Sequence, residues 1–419
     1  MVRGRTRPSL AQAVLVLAAL AIGCGDDAQQ PPRADAAFAP DTFGAPADSQ
    51  NVEADARIAP ADTRSVTPDG TAWPDAATSD LLGNETGGST SLDAGGDEAP
   101  IPVDAGRGDG AADGGPPPVP PVTIVVLPDT QYYAAAYPDV FAQQTSWILA
   151  QKTALNIAAV LHVGDVVDGA MSPDQWDNAS TALRPLDNAL PYLLVPGNHD
   201  TDGNRQGLMN TYFSPASMPW LAGTMTQGRI DNSFALADVG GRVWLLVGLE
   251  FGPRDAAVAW ADSILKSYPT TPAMIVTHAY LYGDGTRYNL AVAGIDESKP
   301  SFQYFYPAYY QFTPDQGIND GEMLWQKLVL PNPNVRLVFC GHDSGAARLR
   351  STRPDGSVVH QMLSDYQWWG DGGPNFGYGW LRVLQLDYAK KTIRVQTYSP
   401  YLQSYLTDDA NQFTLDLYP

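Results

Sequence analysis

Cysteine is almost missing from the chain. Its 419 residues contain two, Cys24 and Cys340, too few for a disulfide framework. Cys340 lies in the apolar run VRLVFC, the setting of a buried strand residue. Positive charge is scarce as well, with 25 lysines and arginines against 46 acidic residues and a formal net charge of −21. A chain so composed offers no basic face for nucleic acid. The imbalance is concentrated in one place: between Gly25 and Pro121 there are 18 acidic residues, four arginines, no lysine and few aromatics. Such an Ala, Asp, Pro and Gly-rich stretch buries too little apolar surface to offset the entropy of ordering it. Residues 25–121 are therefore expected to form a disordered acidic linker. Without that segment and the cationic start, the remainder is only mildly acidic at −10.

Arg3, Arg5 and Arg7 precede an apolar run from Leu10 to Ile22 that ends in Gly23-Cys24. This is a secretory signal layout, too short for a comfortable transmembrane span. The segment AIGC resembles the lipobox of bacterial lipoproteins, with Ala21 where leucine is preferred. That resemblance implies a signal peptide over residues 1–24, lipidation of Cys24, and an exported, envelope-anchored protein, periplasmic or on the cell surface, held to the membrane by lipid alone. Ordinary signal cleavage with Cys24 incidental is the other reading. A lipid-anchored linker of this length would act as a leash with a reach of roughly 55 to 60 Å, and one acyl chain alone holds weakly, so a multiply acylated cysteine is required.

From residue 122 the pattern changes. VTIVVL, Val122 to Leu127, is a buried strand pattern, a helical stretch from about Val140 to Lys152 follows, and IAAVLHVG is a second strand. A polar helical stretch near Asp174 to Asn188 comes next, then strands at Tyr192 to Val195 and Val243 to Leu249. A helix from Asp255 to Tyr268 leads to a strand at Ala273 to His278, a long irregular stretch, a helix beginning near Asp320, and the strand VRLVFC. Strands alternating with helices point to an α/β sheet covered on both faces. Beyond Gly341 the runs near Ser357 to Leu363, Gly379 to Tyr388, Thr392 to Tyr398 and Phe413 to Leu417 are strands separated by short turns. With no second linker or internal repeat, the expectation is one α/β domain over residues 122–419, two packed sheets flanked by helices.

Polar residues of a particular kind follow the apolar runs. VTIVVL is followed by Asp129 and Gln131, AAVLHV by Asp165 and Asp168, YLLV by Asn198, His199 and Asp200; AMIVT ends in His278, and VRLVFC leads to His342. Each alone has an ordinary explanation as a turn cap, loop residue or hydrogen-bonded histidine. Five strands ending this way are better explained by one shared site, because ligands gather at the carboxyl ends of strands in open α/β sheets. Three of the five histidines occupy these ends, and a fourth, His162, lies just before Gly164.

The ordered set PDTQ, GDVVDG, GNHD, THAY and CGHD resembles the calcineurin-like metallophosphoesterase family, in particular its variants with DTQ for the usual D-x-H. The resemblance covers Val122 to Asp343 by motif, and VVHQMLSDYQ and GWLRVL are similar too. It implies a four-layer αββα sandwich of the metallo-dependent phosphatase type with two divalent metal ions, Mn, Fe or Zn. Carried onto this sequence, Asp129 and Gln131 would serve the first metal, Asp165 would bridge both, and Asn198, His278 and His342 would complete the second. His199 would be the general acid, with Asp200 orienting its ring. A water activated between the metals would hydrolyse a phosphomonoester or phosphodiester.

The sequence departs from the family at Gln131 and Ser344, where imidazoles usually stand. The first site is thus expected to be weak, selective for a harder ion such as Mn or Mg, or completed by another group; His360 and Asp365 are candidates, although His360, alternating within the strand SVVHQML, is more readily read as a structural residue. The stretch from His278 to Asp320 is rich in tyrosine. Tyr282, together with Trp368 and Trp369, is expected either to wall a substrate pocket or to pack locally. Two functions remain: an exported phosphoesterase, or a lipid-tethered surface binding protein with a degenerate, non-catalytic metal site.

Overall fold

A computed structural model describes residues 120–289, 316–367 and 377–417. The expected signal, Cys24, the linker up to residue 119, and Trp368 with Trp369 lie outside the described residues.

Two seven-stranded sheets account for the strands. The first is built on β1 (Val122–Leu127), β2 (Ile157–His162) and β3 (Tyr192–Leu194), which run parallel. Antiparallel to β1 come β11 (Leu381–Asp387) and then β12 (Thr392–Ser399), which pairs with both β13 (Ser404–Leu406) and β14 (Phe413–Asp416). In the second sheet β4 (Leu221–Thr224) and β5 (Ser233–Asp238) lead antiparallel into β6 (Val243–Gly248). Parallel to β6 follow β7 (Ala273–Val276), β8 (Val335–Cys340) and β10 (Val358–Asp365), and β9 (Gly345–Thr352) closes the edge antiparallel.

Side-chain alternation turns each continuous apolar run into a two-faced layer. Val122, Ile124 and Val126 face the other sheet, where they meet Leu246, Met274, Val276, Leu337 and Phe339. Val125 and Leu127 face the opposite way, against the helices α1 (Gln131–Ala136), α2 (Pro138–Gln151), α3 (Pro173–Leu183) and α4 (Met209–Tyr212). On the far side Leu245, Val247, Ala273 and Ile275 pack on α5 (Asp255–Ser267) and on α6 (Gly321–Leu324), which runs into a π-helical turn at Trp325–Val329. Helix layer, sheet, sheet, helix layer is the expected αββα sandwich. Helices α2 and α3 each begin at a proline with an aspartate in the first turn, and the Asp320 carboxylate caps α6 by accepting from Met323 N at 2.7 Å. Among the described residues no helix is long and apolar enough to cross a membrane.

Candidate metal centre

Three strands from each sheet end on the same side of the sandwich. Asp129 follows β1, Asp165 follows β2 and Asn198 follows β3; His278 follows β7, His342 follows β8, and Asp365 is the last residue of β10. Hydrogen bonds stitch the two sheets together here: His278 Nδ1 reaches Val163 O at 2.9 Å, and His342 N donates to Asp129 Oδ2 at 3.0 Å. Within a sheet, Thr130 N donates to Asp165 O and Gly341 N to His278 O, both at 2.9 Å.

His278 has no exposed surface, and its hydrogen bonding fixes its tautomer. A carbonyl only accepts, so Nδ1 carries a proton and Nε2 is the nitrogen turned toward the neighbouring acceptors. Around Nε2 stand Asn198 Oδ1 at 3.1 Å, Asp165 Oδ2 at 3.2 Å and Asp129 Oδ2 at 3.9 Å. Four electron-rich atoms converging in a buried space repel one another unless a cation, proton or metal, lies among them. Ligand atoms of Asp165, His278 and His342 all fall within 4.8 Å of one another, a spacing that can hold a metal ion. Asp129 adds a buried Oδ1 with no hydrogen-bond partner. Burial pushes the Asp129 carboxyl well above its ordinary value, and Asp365 and Asp165 push it further. Burial works the same way on Asp165, but His278, His199 and His342 outweigh it and hold that carboxyl well below the usual range.

The backbone is shaped for this convergence. Asp165 and His342 take left-handed conformations, φ 49° and 78°, which cost a non-glycine residue about 1 kcal/mol or more each. Glycines make room for the carboxylates: a Cβ at Gly197 would collide with Asp165 Oδ1, and one at Gly341 with Asp129 Oδ1. Phe251 packs against both imidazoles, its ring centre 5.6 Å from His278 and 5.1 Å from His342.

His199 stands at the rim, partly exposed. Its Nδ1 meets Asp168 Oδ1 at 3.1 Å and Asp168 O at 3.0 Å. Burial opposes a charge on this ring, but Asp165 and Asp168 outweigh it and raise its pKa to about 10. With Nδ1 engaged by acceptors, the Nε2–H is the proton left to give.

Residues 122–345 match the calcineurin-like phosphoesterase family. The chain belongs to that family. It is 32% identical over 309 residues to YvnB of Bacillus subtilis (strain 168), an uncharacterised protein; the match takes in 71% of this chain and 21% of that one, so the chain spans about a fifth of this relative's length. Among solved structures, a dimetal phosphatase from Danio rerio overlaps 71% of this chain and all of its own, at 13% identity and a TM-score of 0.43. GAP50, the anchor in the inner membrane complex of Plasmodium, overlaps 70% of this chain and 89% of its own, at 12% identity and a TM-score of 0.39. Both superpositions are loose; membership in the family rests on the sequence match.

The family motifs meet where the sequence suggests, with corrections. Asp200 does not orient His199. Its Oδ2 accepts from Val166 N at 3.1 Å and Gly197 N at 2.8 Å, and its Oδ1 from Val167 N at 2.9 Å. Both oxygens are consumed in tying two loops together, and Asp168 is the partner of the ring. Gln131 is buried beside Asp129, its Oε1 accepting from Gln367 Nε2 at 2.9 Å. Ser344 is exposed and stands in for no ligand. His360 lies off the site with Nε2 at 3.1 Å from Asp416 O, whereas Asp365 is buried within it. Tyr282 is 3% exposed with its ring centre 3.7 Å from that of Tyr288, so its face is taken by local packing and does not wall a pocket. His162 is structural. Gly164 N donates to its Nδ1 at 3.2 Å, so Nε2 carries the proton and meets Thr130 Oγ1 at 2.9 Å, which in turn donates to Val166 O.

The loop after Asp200 also borders a polar cavity of about 340 Å³ lined by Arg205, Arg229, Asp231, Asn232, Glu250 and Arg254. Arg205 donates from this cavity to the carbonyls of Phe251 and Gly252 at 2.6 and 2.7 Å.

Proposed function

We propose that the chain hydrolyses a phosphate monoester or diester at this centre, with two divalent cations held by Asp129, Gln131, Asp165, Asn198, His278 and His342. The observation that carries the proposal is His278 Nε2 facing oxygens of Asn198, Asp165 and Asp129 in a buried space, a set of donor atoms suited to a cation. What such cations supply is Lewis acidity, enough to make water nucleophilic near neutral pH and to offset charge on phosphoryl oxygens.

The chain's own residues supply the rest. Asp165 sits between the histidine-bearing and carboxylate-bearing halves, where one side chain can serve both. His199, kept cationic by Asp165 and Asp168, is placed to give its Nε2 proton to the departing oxygen. Asp200 fixes the loops bearing Asp165 and Asn198, and Phe251 keeps water from the back of the imidazoles. The cavity beside the loop after Asp200 mixes guanidinium, amide and carboxylate groups, suited to a hydroxylated organic portion of the ester. We place the protein outside the cytoplasm, anchored through Cys24; release of the intact mature form from envelopes by salt alone would contradict the anchor.

Turnover of nitrophenyl phosphate or its diester, tested separately with Mn, Fe and Zn, checks the activity. Asp165→Asn should abolish it. Absence of turnover with every metal, or full turnover in that variant, would sink the proposal.

A further inference from the structure

Two tripeptides of one pattern face each other at the centre: Asp129-Thr130-Gln131 after β1 and Asp365-Tyr366-Gln367 at the end of β10. Their glutamines are joined, Gln367 Nε2 donating to Gln131 Oε1 at 2.9 Å. The register of β10 places the aspartate. Leu363, two residues before Asp365, is paired with Cys340 of the parallel strand β8, two residues before His342. On its other side Asp365 pairs with Gly345, the first residue of β9. One carboxylate oxygen, Oδ1, is spoken for by Gln367 N at 3.0 Å.

Asp365 is 2% exposed, and among the described residues no lysine or arginine forms an ion pair with it, Asp129 or Asp165. Among the described residues, three buried carboxylates thus share one space with only histidines as ionic partners, an arrangement that calls for further positive charge. Asp129 gives an independent sign of where that charge belongs: its Oδ1 is buried without a hydrogen-bond partner, and of the charged groups around it Asp365 acts most strongly. The family resemblance expects an imidazole at position 344, where this chain has an exposed serine. The vacated role needs a donor from the second sheet. Asp365, buried at the end of β10, is in place to supply it.

We propose that Asp365 is a ligand of the first metal, replacing the imidazole absent at Ser344. The first half of the centre then offers only oxygen, from Asp129, Gln131, Asp165 and Asp365, which suits a hard cation such as Mn or Mg. The other half, with His278 and His342, suits Zn or Fe. Two unlike half-sites in one centre mean a mixed pair of metals. This inference rests on the metal-holding reading above and is separable from it by experiment.

Metal content and Mn affinity are measured on the whole chain for the wild type and Asp365→Asn, with circular dichroism as the check on folding. The wild type should hold two equivalents. The variant should hold one, with Mn affinity at the first half weakened by more than about 100-fold and, with Zn filling the other half, with the electron paramagnetic resonance signal of bound Mn lost. Two equivalents of unchanged affinity in Asp365→Asn would overturn the role of Asp365 while leaving the hydrolase reading intact; a wild type holding no metal would overturn both. If the amide variant does not fold, Asp365→His decides: two equivalents with preference moved from Mn toward Zn support the role, and an unchanged preference refutes it.

Discussion

His162 at the end of β2 and His278 after the end of β7 are alike in type, in complete burial and in closeness to Asp165, yet they do opposite things. His162 has both ring nitrogens matched to protein partners, a backbone N–H on one side and a hydroxyl on the other. His278 has one nitrogen matched to a carbonyl and the other aimed at acceptor oxygens. A buried histidine whose hydrogen bonds the protein completes is accounted for as structural, and one completed on one side only is a candidate ligand. Burial does not separate the two cases.

That contrast can be broken by substitution. The largest effect is expected at His278: His278→Ala should lower kcat/KM by more than about 100-fold and remove one bound metal equivalent, because a direct donor exceeds the 10- to 100-fold typical of supporting residues. Unchanged metal content would place His278 with His162. A smaller loss is expected for Asp168→Asn, about 10- to 100-fold in kcat for alkyl phosphate esters and much less for nitrophenyl esters, whose leaving groups need no proton. Equal losses for both ester types would mean that Asp168 acts on something other than the His199 proton. The smallest catalytic effect is expected for His162→Asn, which should keep both metals but lose about 1 to 3 kcal/mol of stability at pH 7 in denaturant titration. The variant should also be less acid-sensitive. Burial and the neighbouring His278 lower the His162 pKa to about 3 from an ordinary 6.5. Below pH 6.5 the unfolded chain takes up a proton that the folded ring refuses until about pH 3. Stability contributed by the neutral ring is thus full above 6.5 and falls as pH drops through that window, by up to about 1.4 kcal/mol per unit. The difference in slope between wild type and His162→Asn between pH 7 and 5 measures it.

Much of the frame was legible in the sequence because apolar runs mark buried strands. VTIVVL and VRLVFC match β1 and β8 residue for residue, and the helix expected from Asp255 ends one residue early. Strands β4, β5, β9 and β13 went unseen because none is a continuous apolar run; β9, GAARLRST, is an edge strand with alternate side chains exposed. The centre followed the same logic. Asp129, Asp165, Asn198, His278 and His342 could be found because each follows a recognisable strand. Asp365 ends one too, and extending the same rule to the run VVHQMLSD would have singled it out above His360. The pairing of Asp168 with His199 had no such marker, since 31 residues separate them and only the folded loops bring them together. Asp200, adjacent in sequence to His199, was the wrong partner because its oxygens point to backbone N–H groups of other loops.

The residues proposed to hold metal come from both sheets, Asp129, Asp165 and Asn198 from one and His278, His342 and Asp365 from the other. Any ion gripped there fastens the halves of the sandwich like a rivet through two plates. Chelation should accordingly do more than silence chemistry: it should loosen this rim before the rest of the fold, so that amides of the connecting loops exchange sooner than those at the opposite end.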